Sequence, residues 1–265
     1  MEELPLTPVD CLNCGTTMED LYCPRCGQKR VSSPLRVSEW AGEGFESLST
    51  LDAKLPRTVI DLTRGPGKMV RRFVAGHRIP YTGPFRYAFL TSALWVVAFT
   101  LFNDQQGEVE SIFAEYGQLV NLLAIPFLAL VVHLSFWGKR FTFAEHLCFL
   151  LFVTGHVFLW RAGIILIDQI PGTDPVVLVA VDGILFLVFF VWSLWQLHRP
   201  ETGRIALSAR ILAALICVQL VSNVINRVVF PTTDGSTSPD ATTPAGTEVG
   251  TETVEEPLPL VEEGK

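Results

Sequence analysis

Residues 175–197 read PVVLVAVDGILFLVFFVWSLWQL, and Asp182 is the sole ionisable side chain in the run. A helix rises about 1.5 Å per residue, so a stretch of this length covers the ~30 Å hydrocarbon core of a bilayer. Four further apolar stretches flank it, near 84–102, 119–137, 143–167 and 209–230. The chain has 265 residues, 49% of them hydrophobic, and a mean hydropathy of +0.37. In a soluble helical protein these residues would be interspersed with polar ones; here they are gathered in blocks, with most charge in the intervening loops. The pattern predicts an all-α polytopic membrane protein with about five transmembrane helices.

The net charge of -7 conceals a segregation of sign. Residues 54–86 hold eight Lys or Arg against one acid, Asp61, whereas 231–265 hold eight acids against one base. Between the spans the bases alternate. Residues 1–86 contain twelve Lys or Arg; the loop 103–118 has none, but carries Asp104, Glu108, Glu110 and Glu115. Lys139 and Arg140 occupy the next turn, the hairpin around Pro171 and Gly172 has no base, and Arg199, Arg204 and Arg210 follow span four. Basic residues are retained on the cytoplasmic side, so this alternation predicts a multi-pass protein of the cytoplasmic (inner) membrane, N-terminus inside and C-terminus outside. The N-terminal MEELPLTPVD is acidic and lacks an apolar core, so no cleavable signal peptide is expected.

Four of the six cysteines lie in the first 26 residues, as Cys11-Leu-Asn-Cys14-Gly15 and Cys23-Pro-Arg-Cys26-Gly27. Two C-x-x-C pairs supply four thiolates for tetrahedral Zn²⁺ with no open position, which points to a structural rather than a catalytic metal. A glycine after each pair allows the tight turn of a zinc knuckle. A segment this small builds no core of its own, so the metal must supply most of its folding energy, on the order of 10–16 kcal/mol. Disulfides are the alternative, but the expected topology places these thiols in a reducing compartment. Cys148 and Cys217 sit singly in apolar spans as small hydrophobes. Residues 1–30 carry three bases, Arg25, Lys29 and Arg30, against five acids, so no nucleic-acid partner is expected. A cytoplasmic protein partner or an intramolecular docking role remains for the ribbon.

Four regions follow: a cytoplasmic zinc ribbon (1–30), a basic amphipathic connector (31–83), a transmembrane domain (84–230) and a disordered acidic tail (231–265) that serves solvation. In the connector, Val37, Trp40, Ala41, Gly44, Phe45 and Leu48 recur at helical spacing, and Val59, Ile60 and Leu62 continue the pattern. Gly65-Pro66-Gly67 interrupts it and Pro66 is placed to start a new helix. There Met69, Val70, Phe73 and Val74 fall on one side, Lys68, Arg71 and Arg72 on the other, and Gly76 is placed to end it. Lys68, Arg71, Arg72 and Arg78 are thus candidates to meet anionic lipid headgroups in the interface, at about 1 kcal/mol each. Packing of this helix on the bundle is equally consistent with the pattern.

These residues resemble a known family. The paired knuckles ending in Gly27-Gln28, then Asp61-Leu62, Arg64, Pro66-Gly67, Arg72, Gly76, Arg78, Tyr81, Pro84-Phe85 and Tyr87, are similar to bacterial zinc-ribbon membrane proteins catalogued as domain of unknown function 3667. Here Gly65 separates Arg64 from Pro66, and Thr82-Gly83 separate Tyr81 from Pro84. The likeness covers roughly residues 11–100. It implies the same architecture, with the Arg64 to Phe85 stretch as functional centre, and no activity.

Charges inside a span cost about 2.5–3.5 kcal/mol each. Arg161 and Asp182 lie at similar distances from the Pro171-Gly172 turn, so they are candidates for an intramembrane ion pair, either structural or at a substrate or proton site. His133, His146 and His156 fall in or near spans two and three; His146 and His156, ten residues apart, share no helix face, while His133 with His156 stays open. Gln219, Ser222, Asn223 and Asn226 form a polar stripe on span five, suited to interhelical hydrogen bonds. No phosphate loop, nucleophile elbow or H-E-x-x-H motif is present. The leading expectation is a non-enzymatic membrane protein whose ribbon recruits or senses a partner. The alternatives are a transporter or channel using spans three to five, and a lipid-acting membrane enzyme.

Overall fold

The computed structural model describes residues 8–30, 53–102, 123–138, 140–199 and 203–229, with side chains as far as Leu220. The expectations placed on 37–48, on the acidic loop 103–118, on Lys139, on the tail 231–265 and on the side chains of Ser222, Asn223 and Asn226 lie outside the described residues.

The ribbon holds two short strands, β1 (Val9–Asp10) and β2 (Thr17–Met18), paired antiparallel with Val9 opposite Met18. Among the described residues seven helices follow: α1 (Leu55–Arg64), α2 (Pro66–Val74), α3 (Pro84–Phe102), α4 (Leu123–Ser135), α5 (Phe143–Asp168), α6 (Pro175–His198) and α7 (Arg204–Val229). Among the described residues, α3, α5 and α6 are long and apolar enough to cross a membrane. They lie over the expected spans 84–102, 143–167 and 175–197; α4 and α7 lie within the other two expectations, apart from the first residues of α7.

Local chemistry sets these boundaries. Pro66 opens α2, and Gly76, with φ of +106°, closes it. There the His77 amide donates to Arg72 O at 3.0 Å and the Gly76 amide to Phe73 O at 3.1 Å, the paired bonds of a Schellman motif. Thr142 and Glu145 form a reciprocal capping box at the start of α5. Asp174 caps α6 by accepting from the Val176 amide at 2.9 Å, with Pro175 in the first turn.

One apolar core joins the connector to the membrane helices. Met69, Val70, Phe73 and Val74 are buried in the same cluster as Tyr87, Phe149, Phe152 and Leu194. The Phe73 and Phe152 rings meet edge to face at 5.2 Å. Helix α2 lies close against α6: a Cβ on Gly67 would meet the Ser193 carbonyl oxygen and come within 2.6 Å of Gln196 Cβ and Leu197 N. Gly155 serves α3 and α5 likewise, since a Cβ there would stand 2.9 Å from Ala88 Cα. The apolar face of α2 thus packs on the bundle, and its basic face is left for the site below. The ribbon has a separate small core of Cys11, Met18 and Cys23.

Candidate metal centre and basic cavity

Each C-x-x-C-G forms the same knuckle. The Gly15 amide donates to Cys11 O at 2.8 Å and the Gly27 amide to Cys23 O at 2.9 Å, with both glycines at positive φ. The second turn of each knuckle closes with Cys11 N to Thr16 O and Cys23 N to Gln28 O, both 2.9 Å. The four Sγ atoms lie within 4.8 Å of one another. Cys11 and Cys26 are 3.6 Å apart and Cys14 and Cys23 3.5 Å apart. A tetrahedron with metal–sulfur bonds near 2.3 Å has edges of about 3.8 Å, so the four thiols fit a single metal ion. Hydrogen bonds from the Thr16 hydroxyl and amide hold the Cys14 thiol down at about 6, and burial pushes Cys11 up to about 11. Among the described residues no other set of three or more His, Cys, Asp or Glu side chains is so placed.

The residue after each knuckle glycine is used differently in the two knuckles. Thr16 keeps its hydroxyl inside the ribbon, 3.4 Å from Cys14 Sγ. Gln28, buried to 4% exposure, reaches out to the turn that ends α2. Its Nε2 donates to Gly76 O at 2.7 Å and its Oε1 accepts from the Arg78 amide at 3.3 Å. Leu12 of the first knuckle covers the same turn, so that a Cβ on Gly76 would lie 2.5 Å from Leu12 Cβ. The ribbon is therefore clasped to the C-terminal end of α2 by an amide fork and one leucine.

Beside that turn, α2 and the ends of α1, α5 and α6 line an open cavity of about 1110 Å³. Among the described residues, Arg64, Lys68, Arg71, Arg72, Arg140 and Arg199 line it with a single acid, Glu145. That carboxylate is committed to the capping box, accepting from the Thr142 amide at 2.7 Å. Trp192 and Trp195 form the wall on α6. Arg71 Nη1 donates to Leu197 O at 3.0 Å, Gln196 Oε1 accepts from the Lys68 amide at 3.3 Å, and the Arg199 guanidinium lies 4.4 Å over the Trp195 ring. Tyr81 donates to Asp61 Oδ2 at 3.1 Å and also hydrogen-bonds Arg72; burial raises the phenol above its ordinary range.

Of the four bases grouped as headgroup candidates in the sequence, Lys68, Arg71 and Arg72 line this cavity. Arg78 does not: its guanidinium sits 5.8 Å over the Phe73 ring, turned inward by the same turn that receives Gln28. Arg64, which opens the stretch that the resemblance marks as a functional centre, and Arg140 and Arg199, which the charge alternation counts as topology signals, line it as well.

Arg161 and Asp182 face each other across α5 and α6. Nη2 lies 3.1 Å from Oδ2, and Nε donates to both carboxylate oxygens at 3.1 and 3.4 Å. The histidines pair differently from the option left open above. His133 stands 3.4 Å from His146, Nδ1 to Nδ1, and His198 stacks on His146 with ring centroids 5.4 Å apart. His156 lies apart from them. Its Nδ1 accepts from the Tyr87 hydroxyl at 2.8 Å, and its Nε2 donates to Thr63 Oγ1 at 3.2 Å, because the Thr63 hydroxyl is spent on Val59 O. Both ring nitrogens are thereby satisfied in a neutral tautomer, a structural role.

Residues 52–96 match the family model described as Protein of unknown function (DUF3667). The family assignment is supported over that stretch, which carries every resemblance residue from Asp61 to Tyr87. No curated protein and no solved structure matches the chain. The DUF3667 segment contains α1, α2 and the Gly76 turn, and so contributes four of the six bases and the docking point of the ribbon; Arg140 and Arg199 come from outside it.

Proposed function

We propose that this chain is a five-span protein of the cytoplasmic membrane that binds a multiply anionic ligand at its cytoplasmic face, in the basic cavity. A zinc-loaded ribbon clasps the helix that supplies half of the cavity's bases. The observation that carries this reading is the convergence of six bases on one space with one engaged carboxylate. Isolated surface bases would be solvated apart; bases turned toward a common cavity repel one another, and an anion offsets that repulsion. The alternation of basic loops supports the orientation, and the four-thiol geometry supports zinc as the metal. Isothermal titration of the full, delipidated chain with inorganic pyrophosphate tests the site. Lys68→Gln with Arg140→Gln is expected to weaken binding about thirtyfold, at ~1 kcal/mol per base. Equal affinity in the two chains overturns the reading.

A second reading, recruitment of a cytoplasmic protein by the ribbon, rests on Leu21 and Tyr22. These neighbours stay 55% and 57% exposed, whereas Gln28 is buried in the clasp. Crosslinked pull-down with Leu21→Ser and Tyr22→Ser tests it; a partner retained by both variants counts against it.

A further inference from the structure

The wall formed by Trp192 and Trp195 has a second side. The same two indoles end a shallow, open apolar groove of about 700 Å³ on the surface of α6 alone, which continues over Val191, Val188 and Leu187. Val188 is 60% exposed and Leu187 49%, facing away from the core. From Trp195 to Leu187 the helix rises about 12 Å, within one leaflet of a ~30 Å hydrocarbon core. A soluble anion would use the cavity alone. Beyond the two indoles the groove offers it no hydrogen-bonding side chain, yet it begins where the bases end.

We propose that the occupant is a lipid with a phosphate monoester headgroup, its phosphate among Lys68, Arg71, Arg140 and Arg199 and the upper part of one acyl chain along the α6 groove. This deepens the anion-binding reading above and rests on it. Charge complementarity selects the headgroup. A monoester carries close to two negative charges at neutral pH, against one for a diester, and a choline headgroup would bring a cation into a cavity already crowded with six. The indoles suit the junction, since tryptophan is enriched at headgroup depth. Arg199 lies over Trp195 at 4.4 Å, which keeps its guanidinium at the mouth shared by cavity and groove.

The test uses the full chain in phosphatidylcholine nanodiscs containing a minor fraction of phosphatidic acid with brominated acyl chains. Bromine quenches tryptophan at contact. At equal mole fraction, brominated phosphatidic acid is expected to quench more strongly than brominated phosphatidylcholine. The excess disappears in Trp192→Phe with Trp195→Phe, which leaves the other four of the six tryptophans as background. Lys68→Gln with Arg140→Gln is expected to lower the apparent preference about thirtyfold. Native mass spectrometry of the delipidated chain after phosphatidic acid addition reads the same preference without tryptophan, and guards against misfolding of the indole variant. Equal quenching by the two lipids, together with equal retention in the mass spectrum, overturns the proposal. If pyrophosphate still binds in that case, the anion site stands and the lipid does not; if neither binds, both fall.

Discussion

Replacing Gln28 by Ala removes the two hydrogen bonds that fix the ribbon to the Gly76 turn and leaves the metal ligands untouched. At about 1 kcal/mol net per bond, faster amide exchange across residues 8–30 is expected with unchanged metal content. Gly76→Ala does more, because its backbone at φ +106° costs an L-residue about 1–2 kcal/mol and the new methyl meets Leu12. Adding Leu12→Gly removes the Cβ that the new methyl would meet at 2.5 Å and leaves the backbone cost, so the double variant is expected to fall between Gly76→Ala and the wild type. If all three exchange alike, the clasp contributes nothing. At this scale the cysteines were legible because C-x-x-C-G is local chemistry, with ligand, spacing and turn residue within five positions. Gln28 and Gly76 were each noticed, the one in a resemblance and the other as a helix end. Nothing in their spacing joins residues 48 apart. The histidines illustrate the same boundary: the separation of His146 from His156 follows from helical geometry, whereas the meeting of His133 with His146 depends on how two helices cross.

Among the elements, the approach of α2 to α6 depends on Gly67. Gly67→Ala drives a methyl into the Ser193 carbonyl and the Leu197 amide, and is expected to lower stability by about 1–3 kcal/mol in thermal unfolding in lipid. Gly65→Ala is the control. Its backbone is extended at φ -174° and a Cβ would find ordinary contacts at 3.5 Å, so a change within about 0.5 kcal/mol is expected. For α5 and α6, removal of Asp182 alone leaves Arg161 without its partner. Asp182→Leu is therefore expected to destabilise by about 2.5–3.5 kcal/mol, and Arg161→Leu with Asp182→Leu to recover most of that loss. A double variant as unstable as the single one would contradict a purely structural pair. The long helices were readable from composition because their apolar blocks are local, as are the Pro66 and Gly76 signals that bound α2. Which faces meet was not, since Gly67 and Gly155 gain their meaning only from the backbone opposite.

For the molecule as a whole, ribbon and helices have separate cores and so separate sources of stability. Chelation of the metal is expected to abolish exchange protection across residues 8–30 while far-UV circular dichroism of the helices changes little. Concerted loss of α5 and α6 would mean that the ribbon is integral to the bundle. The cavity was the least legible feature, because its bases come from positions 64 to 199: Lys68, Arg71 and Arg72 read as headgroup contacts of one helix, Arg140 and Arg199 as topology signals, and nothing in the spacing joins them. That spread has a consequence for the order of assembly. The clasp joins residues 28 and 76–78, all of which are synthesised before the first long apolar helix. The cavity has to wait for Arg199, at the far end of α6. A nascent chain thus carries its N-terminal ribbon from early in synthesis but completes the anion site only after the α5–α6 hairpin has turned back on itself, so a hairpin inserted the wrong way round would leave α2 without Arg140 and Arg199 and the site unbuilt.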